Sequence, residues 1–202
     1  MLVRWPSPFL FWTEVENHKE IKKELTPKIY DQSSNMKYYN KPMQIRKPGD
    51  GNWNCEVITT YFDRKDSNTL FSEDILRSII SEPLEKFFND SNCPVENKPQ
   101  KTFIPEIWYN VYKEGYEQEI HAHHGATFSG IYLLELNEPN TTVFFSHSSG
   151  FSYQKDNFYF GSYPTEHIKE GNVILFPSEF AHAVKKSQKP RITISFNLLC
   201  EF

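Results

Sequence analysis

The sequence lacks the cysteine pairs, the excess of basic charge and the long apolar runs by which several classes of protein are recognised. Its three cysteines are scattered, with no Cys-x-x-Cys pair, which is typical of neither a disulfide framework nor a zinc knuckle. The formal net charge of −4 gives no sign of a nucleic-acid partner. The apolar stretch 1–12 is interrupted by prolines, is too short to span a bilayer and has no signal-like cleavage site. A soluble protein of a reducing cytoplasm is therefore predicted.

The length of 202 residues suits one domain with a core that needs no disulfides. Residues 1–100 are predicted to support the rest of that domain, with residues 101–202 as its core. One helix is predicted from a capping box at 13–16 to about Leu25. A second is predicted over 72–88, where apolar residues recur near the 3.6-residue period and pack against a sheet.

From residue 102 the pattern changes to short runs rich in Ile, Val, Tyr, Phe and Thr. Strands are predicted at 102–113, 117–123, 127–136, 141–146, 151–160, 172–176, 181–186 and 190–199. Such a series without intervening helices predicts a mainly β core with flanking helices, as a jelly roll or a related cupin-like double-sheet barrel. The aromatic stretch 151–163 is interpreted either as a hairpin over the barrel mouth or as an edge hairpin packed on the domain.

Candidate metal ligands begin with His121 and His123. Residues two apart on a strand project from the same face, so two imidazoles at this spacing can hold one cation. His182, which follows the apolar run 172–176, offers a third nitrogen from a distant strand. Paired histidines on a strand are also common as polar surface, so this pattern alone leaves both interpretations open.

The last predicted strand alternates strictly between two faces. Its polar face carries Arg191, Thr193, Ser195 and Asn197. Either this face meets water, or it lines the inside of the barrel, where Arg191 offers a planar fork for a carboxylate. In the second case, a small dicarboxylate that chelates the metal would satisfy both groups.

The joint pattern resembles the iron(II)/2-oxoglutarate-dependent oxygenases of the double-stranded β-helix (jelly-roll) fold. It consists of His121-x-His123, then 58 residues to His182, then Arg191 within Arg-Ile-Thr-Ile-Ser-Phe-Asn. The segments Glu170-Gly-Asn-Val-Ile-Leu-Phe-Pro-Ser and Ser129-Gly-Ile-Tyr-Leu, and the spacing from Tyr112 to His121, resemble the prolyl-hydroxylase-like branch, including a group found in bacteria and their viruses. The resemblance covers about residues 103 to 199.

The resemblance implies Fe(II), 2-oxoglutarate and O2 as cofactor and co-substrates, and hydroxylation of a protein, peptide or small metabolite in the cytoplasm of a bacterium or a virus-infected cell. It implies that His121 and His182 bind iron and that Arg191 pairs with the distal carboxylate of 2-oxoglutarate. The residues expected around these groups are Tyr112 and Tyr132 as hydrogen-bond donors, Ser195, and the inward-facing Asn197 and Asn110.

The sequence departs from that family pattern at its second ligand position, where His123 replaces the usual carboxylate. Three imidazoles can occupy one face of the metal, so His121, His123 and His182 are the predicted ligands; otherwise His124 or Glu119 completes the set. The other histidines, His18, His147 and His167, are expected at the surface. Two alternatives stay open, namely a three-histidine cupin-type dioxygenase that uses no 2-oxoglutarate and a jelly-roll binding module without catalysis.

Overall fold

The computed structural model describes residues 9–35, 57–61, 70–91, 98–145, 152–154, 157–159, 162–163 and 165–202. Predicted features elsewhere, such as His147 and part of the aromatic stretch, lie outside these residues. The strands are β1 (Phe11–Glu14), β2 (Ile58–Thr59), β3 (Lys101–Tyr112), β4 (Gln118–His121), β5 (Phe128–Leu136), β6 (Thr142–Phe145), β7 (Ser152–Gln154), β8 (Asn157–Tyr159), β9 (Ser162–Tyr163), β10 (Asn172–Pro177), β11 (His182–Val184) and β12 (Arg191–Glu201).

The first helix, α1 (His18–Asn35), differs from its prediction at both ends. Thr13 lies in β1 and pairs with Val173, so the predicted capping box at 13–16 is wrong. The helix continues past Leu25 because a buried stripe continues too, with Leu25 and Ile29 each fully inaccessible to solvent.

The second predicted helix is present but contains a local change of pitch. It comprises α2 (Glu73–Leu76), a π-helical turn (Arg77–Ser81) and α3 (Glu82–Asp90). Ser72 begins it, because the Ser72 hydroxyl accepts a hydrogen bond from the backbone N–H of Ile75. The π-helical turn ends just before Pro83, which has no N–H to offer to the helix.

Two sheets form the barrel, and the chain alternates between them over β3 to β6 and again over β9 to β12. The larger sheet has the order β1-β10-β5-β12-β3-β2 and the smaller has the order β4-β11-β6-β9. A separate pair, β7-β8, completes the described strands. Alternation of the chain between two antiparallel sheets is the topology of a jelly roll.

The central part of the larger sheet is buried on both of its faces. Its outer face packs on α1 and α3 through residues such as Ile192, Ile194 and Phe196 of β12. Its inner face meets an apolar cluster at one end of the barrel, formed by Ile131, Leu133, Phe144, Ile168, Ile174, Phe176 and Phe180. At the other end, the inner face of β12 is polar yet buried. Of the two interpretations of this strand, the structure therefore supports the one in which the polar face lines the barrel.

None of the helices in the described ranges is long and apolar enough to cross a membrane. The cytoplasmic location stays a prediction. So does the division of a single domain into 1–100 and 101–202, although β1 and β2 from the first half join the same sheet as strands of the second half.

Candidate metal centre

Three histidines meet at the polar end of the barrel. His121 ends β4 and is the direct partner of His182, the first residue of β11. His123 lies two residues beyond the end of β4, where its backbone N–H donates to the carbonyl of Ser178. One potential ligand atom from each of the three histidines lies within 4.8 Å of the other two.

Each imidazole is held through its Nδ1 atom. His121 Nδ1 lies 2.9 Å from the carbonyl oxygen of Glu119, and His182 Nδ1 lies 3.0 Å from that of Phe180. His123 Nδ1 lies 2.8 Å from the side-chain oxygen of Asn197. Since a carbonyl oxygen only accepts, each Nδ1 donates its hydrogen, and each Nε2 keeps a lone pair for a metal.

Burial keeps these rings neutral. It lowers the pKa of His121 to about 4, despite the opposing effect of the hydrogen bond that His121 donates to the Glu119 carbonyl. Burial also lowers the pKa of His123, and it lowers that of His182, where the two neighbouring imidazoles add to the effect. Neutral imidazole is the form that binds metal, so the cluster is competent at neutral pH.

Arg191 lies in the same interior, and no carboxylate of the described residues lies within ion-pair distance of it. It is 1% exposed, and its guanidinium donates to the hydroxyls of Thr141 at 2.6 Å and Thr142 at 3.1 Å. Its Nε atom has no hydrogen-bond partner among the described residues. Burial therefore lowers the pKa of Arg191, and a carboxylate placed beside it would relieve this cost.

Three other predicted residues line the space between the histidines and Arg191. The Tyr112 ring lies 5.3 Å from the Arg191 guanidinium carbon, and its hydroxyl donates to Gln118 at 2.6 Å. Asn110 donates to Ser195 at 3.1 Å, so these two residues form one wall. They share this wall because β3 pairs with β12 and brings inward-facing residues into register.

The prediction for Tyr132 is wrong, and so is the surface position expected for His18. Tyr132 pairs with Ile194 on the outer face of the larger sheet, where its hydroxyl lies 2.7 Å from His18 Nδ1 on α1. His18 also lies 3.3 Å from Glu170. These residues attach α1 to the sheet, so Tyr132 is turned away from the barrel interior.

A cavity of about 440 Å³ opens beside the histidines. Its lining includes Glu106, Trp108 and Asn197. The ring of Trp108 lies 5.5 Å from that of His123 and 5.0 Å from that of Tyr61, between ring centroids. This cavity gives the histidine cluster a path to solvent with an aromatic wall.

The sequence interpretation missed Glu106, Gln118 and Thr142. Glu106 has the parity of Asn110, so alternation along β3 was a usable signal for it. Gln118 has the opposite parity to His121, and the pairing of β4 with β11 is irregular between them, so alternation gave no signal for Gln118. Nothing in the sequence points to Thr142.

The alternative ligands do not join the cluster. In the part of the chain that the structure describes, His121, His123 and His182 are the only group of three or more metal-binding side chains. Glu119 contributes its backbone carbonyl to His121, and His124 lines the outer cavity.

The donor set and the orphaned guanidinium fit the cofactors of an iron and 2-oxo acid enzyme. Three neutral imidazoles suit a divalent first-row metal such as iron. The buried Nε of Arg191, on the wall opposite, suits the free carboxylate of a diacid that reaches the metal with its other end.

Comparison with known proteins finds a family that part of the chain matches. The model of a family of 2OG-Fe(II) oxygenases matches residues 106–197, just under half of the chain. No curated protein matches the sequence significantly.

Solved structures give the fold. A prolyl-4-hydroxylase of Pseudomonas putida has a TM-score of 0.55 at 9% identity, covering 96% of this chain and 93% of its own. A prolyl hydroxylase of Trichoplax adhaerens, in complex with a peptide fragment of the hypoxia inducible factor oxygen degradation domain, has a TM-score of 0.57 at 12% identity, covering 95% and 83%. SnoN, a non-heme alpha ketoglutarate dependent epimerase from nogalamycin biosynthesis, has a TM-score of 0.56 at 9% identity, covering 95% and 76%.

The predicted double-stranded β-helix is confirmed by these likenesses and by the strand order. The predicted cofactors, Fe(II) and 2-oxoglutarate with O2 as oxidant, are those of the matched family. Residues 106–197 therefore match a family of 2OG-Fe(II) oxygenases, and the resemblance predicted from the sequence is confirmed over that part of the chain.

Proposed function

We propose that this enzyme hydroxylates a C–H bond of a substrate bound in the 440 Å³ cavity, with His121, His123 and His182 as its three iron ligands. One observation carries the proposal. Three imidazoles turn their Nε2 atoms into a space that also contains a buried guanidinium with no carboxylate beside it among the described residues.

Iron with 2-oxoglutarate would supply the oxidising power for such a reaction. The chain's own task is to hold three neutral nitrogens in place and to keep the metal accessible from the cavity side only. The carbonyls of Glu119 and Phe180 fix two of the rings, and the apolar cluster at the far end of the barrel excludes water behind His182.

The co-substrate would lie between the histidines and Arg191. We assign Arg191 to its distal carboxylate, because both terminal nitrogens already donate to hydroxyls and leave the charge without a counterion. Tyr112, Ser195 and Asn110 form the wall along which the diacid would lie. Tyr112 also restrains the guanidinium from below through its ring.

A protein or peptide side chain is the substrate class that we propose, with a small metabolite as the second candidate. The cavity is open to solvent and has the aromatic wall of Trp108 and Tyr61, which gives an extended chain a surface to contact. The Trichoplax adhaerens enzyme of the same fold binds a peptide fragment. Hydroxylation of proline is a hypothesis from that likeness alone, since a fold hosts many substrates.

The test is a titration of anaerobic, Fe(II)-loaded protein with 2-oxoglutarate. We expect a visible metal-to-ligand charge-transfer band in the wild type, and after admission of O2, formation of succinate. His182→Ala should show neither, whereas Tyr132→Phe should show both, because Tyr132 faces α1. A wild type that binds iron but gives no band with 2-oxoglutarate would support the three-histidine dioxygenase instead. A band without oxygen-dependent succinate in the presence of any peptide would support a binding module.

A further inference from the structure

His123 differs from the other two histidines in the group that holds its ring. His121 and His182 donate to backbone carbonyls, whose position the fold fixes. His123 Nδ1 instead faces two side chains, Asn197 at 2.8 Å and Ser129 at 3.1 Å. A side-chain amide can present either its oxygen or its nitrogen, so something else must decide which end meets His123.

Glu106 fixes the orientation of the Asn197 amide. Its carboxylate lies 2.6 Å from the Asn197 amide nitrogen, and a carboxylate only accepts hydrogen bonds. The amide must therefore point its NH2 group at Glu106 and its oxygen at His123. That oxygen in turn requires a hydrogen on His123 Nδ1, which leaves Nε2 with the lone pair that a metal needs.

We infer that Glu106 is a positioning residue that fixes the tautomer and orientation of His123 through Asn197. The Glu106 carboxylate also places a negative charge near the metal centre, in compensation for the carboxylate ligand of the usual family pattern. The Asn197 amide separates this charge from His123. The inference rests on the proposed three-histidine site.

The sheet builds this chain of contacts directly. Asn197 on β12 is the cross-strand partner of Glu106 on β3 and of Ser129 on β5, so the three side chains share one face. The Ser129 hydroxyl lies 2.7 Å from the same Asn197 oxygen. Asn197 is 5% exposed, so bulk water does not compete at its oxygen.

Glu106 is the only carboxylate among the described residues that line the cavity. A contact to substrate is thus the competing role. The two roles differ in an observable way, because a residue that only contacts substrate does not affect metal binding by the substrate-free protein.

The first test measures Co(II) affinity of the full chain by calorimetry, without substrate or 2-oxoglutarate. Glu106→Gln keeps the shape but can present either end to Asn197, and we expect a loss of about 10- to 100-fold, the usual effect of removing such a partner. Adding Asn197→Asp to Glu106→Gln places a carboxylate directly on His123 Nδ1, and we expect affinity to return to near the wild-type value. Glu201→Gln, an equal charge change on an exposed part of β12, should have no effect.

The second test reads the His123 tautomer in the metal-free protein by nitrogen-15 NMR. The wild type and the double variant should carry the hydrogen on Nδ1, and Glu106→Gln should show a mixture. Equal Co(II) affinity for the wild type and Glu106→Gln would overturn the inference, as would an unchanged tautomer in Glu106→Gln or a double variant that does not recover. A wild type that binds no Co(II) would instead remove the proposed metal site, while the tautomer measurement still decides the role of Glu106.

Discussion

Replacing Arg191 by Met removes a buried charge while keeping an unbranched side chain of similar length. The guanidinium is 1% exposed, donates to two threonine hydroxyls and has no acid within ion-pair range among the described residues. Its hydrogen-bond partners are therefore neutral, and Glu138 acts on its charge only from beyond ion-pair range. A buried charge without a counterion destabilises the folded state, so Arg191→Met should leave the ligand-free protein at least as stable as the wild type.

The same substitution should weaken the binding of 2-oxoglutarate. A hydrogen bond to a charged group contributes about 1.5 to 3 kcal/mol, which corresponds to a loss of about 10- to 150-fold in affinity. Ligand stabilisation gives a second measure. At a concentration 100 times its Kd, 2-oxoglutarate should raise the free energy of unfolding of the wild type by about 2.7 kcal/mol. At the same concentration of 2-oxoglutarate, the free energy of unfolding of the variant should rise far less.

Denaturant unfolding of iron-free protein, with and without 2-oxoglutarate and a redox-inert divalent metal, measures both quantities in one series. Arg77→Met is the matched control, because Arg77 is exposed, with 74% of its side chain accessible, and lies on the helical layer away from the barrel interior. Unchanged 2-oxoglutarate affinity in Arg191→Met would refute the assignment of Arg191. A large loss of stability in the ligand-free variant would refute the view that its charge lacks a counterion.

Three further predictions follow from the site and its support. Metal affinity should change little between pH 8 and about 6 and fall as the pH nears 4, because burial lowers the pKa of His121 to about 4. For the same reason the free energy of unfolding of the metal-free protein should fall below about pH 6.5, by up to about 1.4 kcal/mol per pH unit for each buried histidine, since the unfolded chain takes up protons that the folded chain does not. Tyr112→Phe should weaken 2-oxoglutarate binding by about 2- to 12-fold, as measured by ligand titration. Tyr132→Phe should leave that binding unchanged and lower the free energy of unfolding, as measured with denaturant. Gly130→Ala should destabilise the fold by about 1 to 3 kcal/mol, measured by thermal unfolding, because a Cβ there would overlap the ring of Phe196.

The strands of the barrel could be predicted from the sequence because alternation and turn residues are local signals. β12 is the clearest case, since one face is apolar and the other carries Arg191, Thr193, Ser195 and Asn197. The joint spacing of the histidines and Arg191 then indicated which family to expect, and the family match agrees.

The side on which Tyr132 lies could not be predicted, because β5 is apolar on both faces. Ile131 and Leu133 face the inside of the barrel, while Tyr132 and Leu134 face the helices. When both faces of a strand are buried and apolar, the alternation of residue types does not show which face points into the barrel. A register shift between Ile192 and Thr193, where β12 pairs with β5, further prevents the parity of one strand from being carried to the other.

His123 joins the other two histidines in a different way from the one predicted. The prediction placed it on a strand with His121, but β4 ends at His121. The ring of His123 is brought to the others by the backbone bond to Ser178 and by Asn197 on another strand. These are long-range contacts, and the two-residue spacing in the sequence has no information about them.

The charges of the proposed site explain why a histidine can stand where the family pattern has a carboxylate. The two positive charges of Fe(II) are balanced by the two negative charges of 2-oxoglutarate. Three neutral imidazole ligands add no charge. The Arg191 guanidinium then remains, and in the usual site the carboxylate ligand would balance it. With the proposed ligands, the Glu106 carboxylate, linked to His123 by Asn197, would supply that charge outside the coordination shell. A site of this kind keeps overall neutrality while exposing the metal to a neutral nitrogen ligand. The Glu106→Gln variant is therefore expected to disturb both the orientation of one ligand and the charge balance of the whole interior.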